Sequence, residues 1–272
     1  MTSSEAGNIR DLITEGNRAF YTLTAAEYDK MGNGMVVKVA QENASNMLER
    51  IPGLRGGTAE VMDFAAGTGL LAMFLAPHCR RVVAVDQSKE MVAQLQAKLD
   101  KQEGTERITN ILPVVTNIID TQGADSPLYG QTFDVITCTN AFHHLSDPAQ
   151  VSRILASHLK PGGFLGVVDL VKTADSAEFH KAPMTQQQSD GTHHQVEDAA
   201  GHVHKQHHAH GHSHGHKDHE HVIAHKGGFS KEEMEQIFAS AGLVLVGMDK
   251  STEFEKGGKT YDNFLAIAKK AS

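Results

Sequence analysis

Tryptophan is absent from the 272 residues, and cysteine occurs only twice. Cys79 and Cys138 each sit in an apolar setting, so they exclude a disulfide framework and read as reduced thiols packed as small hydrophobes. No stretch approaches the roughly 20 uninterrupted apolar residues that a membrane span needs. The start, MTSSEAGNIRDLITEGNRAF, lacks the basic-then-apolar order of a secretory signal. A cytoplasmic setting is expected, with nuclear access left open. Basic residues are also in deficit: 25 Lys and Arg against 33 Asp and Glu give a formal charge of −8 with neutral histidines. That balance disfavours broad binding to nucleic-acid phosphates.

What is present is an ordinary globular composition, 40% hydrophobic and 21% charged, long enough for one α/β domain. Residues 1–55 are mixed and helix-prone. AAEYDK and VVKVAQENASNMLERI read as helices broken by MGNG, and the segment is expected to form an N-terminal helical cap. Over residues 56–172, short runs rich in Val and Ile (AEVMDFA, VVAVD, ITNILPVV, FDVITCT, GFLGVVDLV) alternate with stretches whose apolar residues recur every three or four positions. Strand and helix in alternation predict a doubly wound, mostly parallel sheet.

The regularity stops at about Lys172. Thirteen of the eighteen histidines fall between His193 and His225, and residues 173–226 carry too little apolar surface to offset their ordering entropy, so a largely disordered insertion is expected. Over residues 227–272 the pattern resumes. Ser230 with Glu233 forms a capping box, Gly242 ends that helix, and two strands close around EKGGKT.

The densest chemical signal is VMDFAAGTGLLAMFLA: a strand, an acid near its end, a turn of small residues and a helix. Gly67 and Gly69 let the backbone turn tightly and let a ligand approach the exposed amides. The spacing Gly67-x-Gly69-x-x-Ala72 also satisfies a dinucleotide fingerprint, which keeps an NAD(P)-dependent oxidoreductase open. Asp86 ends the next strand, 19 residues beyond Gly67, where an acid meets ribose hydroxyls. FDVITCTNAFHHLSDP and LKPGGFLGVVDL follow as a fourth and a fifth strand.

In order and spacing, these segments resemble the class I S-adenosylmethionine-dependent methyltransferases, of the small-molecule branch that includes quinone and sterol methyltransferases. The resemblance runs over about Tyr21 to Lys172 and resumes at GGFSKEEMEQIFASAGL. It implies a Rossmann-like sheet of seven strands with an antiparallel last strand, and S-adenosyl-L-methionine as co-substrate. Asp63 then matches the acid that meets the methionine amino group. Gly67 and Gly69 match the loop glycines, and Ala65 stands where the family often has another. Asp86, with Gln87 beside it, matches the ribose-binding acid. Asn117, with Ile118, falls where the family places an adenine-binding side chain, and neighbouring Asp120 is an alternative. Asn140 matches the small polar turn after the fourth strand, and Tyr28 an N-terminal tyrosine that closes over the cofactor.

Methyl transfer from a sulfonium needs positioning more than an invariant catalytic set, but a hydroxyl, thiol or acidic carbon acceptor calls for a base. His144 is the first candidate and His143 the second; otherwise HHL is a helix-capping turn with one histidine packed and one solvated. His207, His208, His210, His212, His214 and His216 offer imidazoles to zinc or nickel, adventitious or physiological. A metal-binding protein on a degenerate methyltransferase scaffold is therefore a further alternative. The expected partner is a small-molecule methyl acceptor, with no nucleic acid, no membrane span, and a monomeric or dimeric state.

Overall fold

Strands rich in Val and Ile that are covered on both faces belong in the middle of a parallel sheet, and that is where they lie. The protein's structure, a computed structural model, describes residues 3–105, 107–180, 184–187, 193–196 and 223–272. Its strands are β1 (Glu60–Phe64), β2 (Arg81–Asp86), β3 (Ile111–Val115), β4 (Phe133–Thr139), β5 (Leu159–Leu170), β6 (Met184–Gln187), β7 (His193–Val196), β8 (Leu243–Lys256) and β9 (Lys259–Lys270). Seven form one sheet in the order β3-β2-β1-β4-β5-β9-β8, parallel from β3 to β5, with β9 antiparallel to both of its neighbours. The expected seven-stranded sheet with an antiparallel last strand is present. The chain reverses its winding between β1 and β4, which opens a crevice at the carboxyl ends of these strands.

The helices are α1 (Ser3–Thr24), α2 (Met31–Arg50), α3 (Leu70–Leu75), α4 (Lys89–Asp100), α5 (Pro148–Ser157) and α6 (Lys231–Ser240). Local chemistry fixes their starts. The Ser88 hydroxyl accepts from Met91 N, Asp147 accepts from Gln150 N with Pro148 in the first turn, and Ser230 and Glu233 form the expected capping box. One face of the sheet packs with Phe142, Met234 and Phe238, and the other with Met47, Leu54, Leu75 and Leu95. Each such fully buried side chain contributes about 2–3 kcal/mol of apolar burial.

Two expectations need correction. AAEYDK is not a helix: only a short 3-10 turn spans Tyr28–Lys30, and MGNG follows as a kink in α2 with Gly32, Asn33 and Gly34 all at positive φ. The insertion is also ordered at its borders. A 3-10 turn covers Ser176–His180 and Ile223 is buried. The reason lies in the segment's few apolar groups: the Phe179 ring packs 5.1 Å from Phe254 and 5.2 Å from Tyr261, anchoring it to β8 and β9. The six histidines named as metal ligands lie outside the described residues. Among the described residues no cluster of three or more His, Cys, Asp or Glu is placed to hold a metal ion, and no helix is long and apolar enough to cross a membrane.

Candidate active site

The turn after β1 is held by backbone bonds. Ala66 N donates to Val85 O, Gly69 N donates to Ala66 O, and Gly67 N donates 2.8 Å to Asp86 Oδ2. Asp86 Oδ1 accepts from Ser88 N, also at 2.8 Å, so one carboxylate ties the glycine turn to the start of α4. Burial pushes its pKa up against the lowering effect of the N–H groups of Ser88, Gly67 and Gln87. Ala65 sits at φ +55 and Gly67 at φ +54, in the left-handed region. A side chain there costs Ala65 about 1 kcal/mol.

This turn forms the floor of a cavity of about 950 Å³, counting its open mouth. Of the ten residues expected to meet a cofactor, Ala65, Gly67, Asp86, Gln87, Asn117, Ile118, Asn140 and Tyr28 line it. Gly69 and Asp63 do not. A Cβ on Gly69 would lie 2.4 Å from Leu95 Cδ1, so this glycine lets the start of α3 press against α4. Asp63, 1% exposed on β1, accepts 2.9 Å from Thr137 Oγ1; burial pushes its pKa up to about 7, and its Oδ2 has no hydrogen-bond partner among the described residues. Asn117 Nδ2 donates to Asp120 and its Oδ1 accepts from Ile119 N, so Asn117 faces the cavity with Asp120 behind it.

A second cavity of about 1130 Å³ adjoins the first, sharing Tyr21, Tyr28, Ala65, Gly67, Asn140 and His144. Its walls are Met31, Met35, Val36 and Val39 from α2, with Phe179 and Phe254. Both histidines are buried, at 6% for His143 and 7% for His144, so neither is the solvated member of a capping turn. His143 Nδ1 lies 2.8 Å from Asp169 Oδ1 and lines the second cavity alone, whereas His144 Nε2 lies 2.8 Å from the Tyr21 hydroxyl and lines both. Burial holds the Tyr21 phenol well above its ordinary pKa and pushes Tyr28 up to about 12, which keeps both hydroxyls protonated.

Sequence reasoning missed Asp169, Tyr21, Asn17 and His180. Asn17 Nδ2 donates to His144 O, 3.1 Å, closing α1 over the junction. Asp29, next to Tyr28, accepts from Thr68 Oγ1 on the glycine turn and from Lys98 Nζ on α4. Asp169 had a signal: a carboxylate inside the apolar run VVDLV, in a strand buried on both faces, must find donors.

Residues 62–165 match the protein family described as methyltransferase domain. An uncharacterized methyltransferase of Schizosaccharomyces pombe is 28% identical over 183 residues, covering 67% of this chain and 52% of its own length. The ubiquinone biosynthesis O-methyltransferase of Aliivibrio fischeri is 34% identical over 119 residues, covering 43% of this chain and 45% of its own. Among solved structures, DhpI in complex with SAH superposes with a TM-score of 0.58 at 17% identity, covering 94% of this chain and 96% of that one. The chain thus spans about half the length of the curated relatives it matches. Residues 62–165 are thus similar to a methyltransferase domain, set in a sheet whose fold the DhpI structure shares. Neither alternative gains support: the antiparallel β9 between β5 and β8 departs from the dinucleotide order, in which the sixth strand follows the fifth.

Proposed function

We propose that the protein transfers a methyl group from S-adenosylmethionine to a small-molecule acceptor, with the cofactor in the Asp86 cavity and the acceptor in the adjoining one. The observation that carries this reading is the meeting of the two cavities over Ala65, Gly67 and Asn140. The residues fit the cofactor. Each Asp86 oxygen uses one acceptor site on a backbone N–H and has another for a ribose hydroxyl. A Cβ on Gly67 would project into open space, room that a ligand can take. Thr116 Oγ1 and Asn17 Oδ1, both on the cavity wall, are buried without a partner among the described residues.

In this reading Asp86 and Gln87 hold the sugar, and Asn117 and Ile118 flank the base. Asp63 reaches the ammonium group through a water, Gly69 sets the loop from behind, and Tyr28 covers the junction from the helical segment that precedes the sheet. S-adenosylmethionine supplies an electrophilic methyl on a sulfonium. The chain supplies position and the exclusion of water, and His144 and His143, which line the acceptor cavity, are the candidates to receive a proton from the acceptor. The match to ubiquinone biosynthesis O-methyltransferases supports a small organic acceptor. Calorimetry of the full chain with S-adenosylhomocysteine tests the reading: micromolar-range binding is expected, with none to NAD. Absence of binding to the nucleoside, or binding of NAD alone, overturns it.

A further inference from the structure

The second cavity carries more chemistry than its apolar walls. Asp169, 0% exposed, receives three donors: His143 Nδ1 at 2.8 Å and Leu170 N at 2.7 Å on Oδ1, and His143 N at 3.1 Å on Oδ2. A carboxylate can only accept, so Nδ1 of His143 carries a hydrogen, and in the neutral ring Nε2 is then the atom with the lone pair. His144 is differently committed, since its Nε2 is taken by the Tyr21 hydroxyl and its carbonyl by Asn17. Of the adjacent pair, one histidine is oriented by a buried carboxylate and the other fastens α1.

The lining also limits what the cavity accepts. Among the described residues it has no Lys or Arg, and its one acid, Asp169, is engaged by its three donors. A carboxylate acceptor would find no cation there, and an ammonium no free anion. Three buried polar atoms on its wall have no partner among the described residues: His180 Nε2, Asn43 Nδ2 and Asn263 Oδ1. Burial, with His143 and His144 beside it and Lys256 and Lys226 further off, holds His180 well below the usual imidazole range, so it is neutral and both donates and accepts. The ligand that satisfies such a cavity is uncharged, mainly apolar and carries hydroxyl groups.

We propose that the acceptor is a phenol or enol, and that His143, oriented by Asp169, is the catalytic residue that takes its proton; this rests on the methyltransferase reading above. The acceptor O–H bond breaks and its proton passes to His143 Nε2. The oxygen's electron pair forms the new O–CH3 bond as the methyl–sulfur bond breaks, and the pair from that bond stays on sulfur. One positive charge is lost from the sulfonium and one appears on the imidazolium, beside Asp169. The groups facing His143 are Asp169 from β5, His144 from its own turn, His180 from the Ser176–His180 turn, and His225 from the loop before α6, whose N donates to His143 O. Asp169 is a positioning residue.

The test uses the full chain saturated with S-adenosylhomocysteine and titrated with 4-nitrophenol, whose ionisation is read from its absorbance. Bound nitrophenol is expected to ionise about one pH unit lower than free nitrophenol. His143→Gln and Asp169→Asn are expected to abolish that shift while S-adenosylhomocysteine affinity stays within about twofold. No binding of nitrophenol, binding with the ionisation of the free compound, or a shift that persists in His143→Gln each overturns the proposal. Should Asp169→Asn not fold, the wild-type titration and His143→Gln still decide. Failure of S-adenosylhomocysteine itself to bind defeats the broader methyltransferase reading, an outcome distinct from the three above.

Discussion

The two cavities that meet over Gly67 are built by different means. The first has a floor of turns at the ends of consecutive strands, with Asp86 bonded to Gly67 across only 19 residues of chain, and takes Thr14, Asn17 and Tyr21 of α1 as its distant side chains. The second is made of side chains brought from far apart: α1 and α2 on one side, Phe179 and His180 on another, and Phe254 and Asn263 from β8 and β9. A site made from main chain tolerates little variation, because its donors are fixed by the fold. A site made from side chains can change its occupant without disturbing the sheet. The contrast matches the separation proposed here between a constant donor and a particular acceptor.

The strongest way to break this comparison is at Asp86. Asp86→Asn puts an amide opposite one of two backbone N–H groups and weakens sugar contacts together, so S-adenosylhomocysteine affinity should fall by about a thousandfold in calorimetry. Asp63 comes next. Its pKa is raised in the folded protein, from 3.8 to about 7, so its stabilising contribution is complete below pH 4 and is lost as pH rises toward 7. Urea melts of the wild type should lose about 3 kcal/mol across that window, and Asp63→Asn should lack this decline.

Gly69→Ala sharpens the distinction between loop glycines: strain at φ +77 and the contact with Leu95 should cost about 2 kcal/mol of stability in thermal melts. Tyr21→Phe removes the hydrogen bond to His144, and about 1 kcal/mol of stability should go with it. The smallest effect is a gain, since Ala65→Gly should stabilise by about 0.5 kcal/mol by relieving a side chain at positive φ.

The same division governs what could be read from residues alone. The alternation of strand and helix, the Ser230–Glu233 cap and the Gly67–Asp86 pair follow from local pattern, because apolar period and turn chemistry act over a few residues. Gly69 was legible as a necessary glycine but not for its reason, which is Leu95 on another helix. His143 and His144 were legible as a pair, yet nothing adjacent to them in sequence distinguishes them. Their difference comes from Asp169, 26 positions later, and Tyr21, 123 positions earlier. Asn263 meets Asn140 across 123 residues, beyond any local pattern. The ordered border of the insertion was hidden for the same reason, since Phe179 finds its partners on β8 and β9.

Asp29 lines neither cavity, yet it fastens three pieces of chain: the segment carrying Tyr28, the glycine turn through Thr68, and α4 through Lys98. The lintel over both chambers therefore rests on a half-buried residue outside them. Loosening that one keystone would unseat roof and floor together, so damage to it would register at the nucleoside before any contact with the nucleoside had changed.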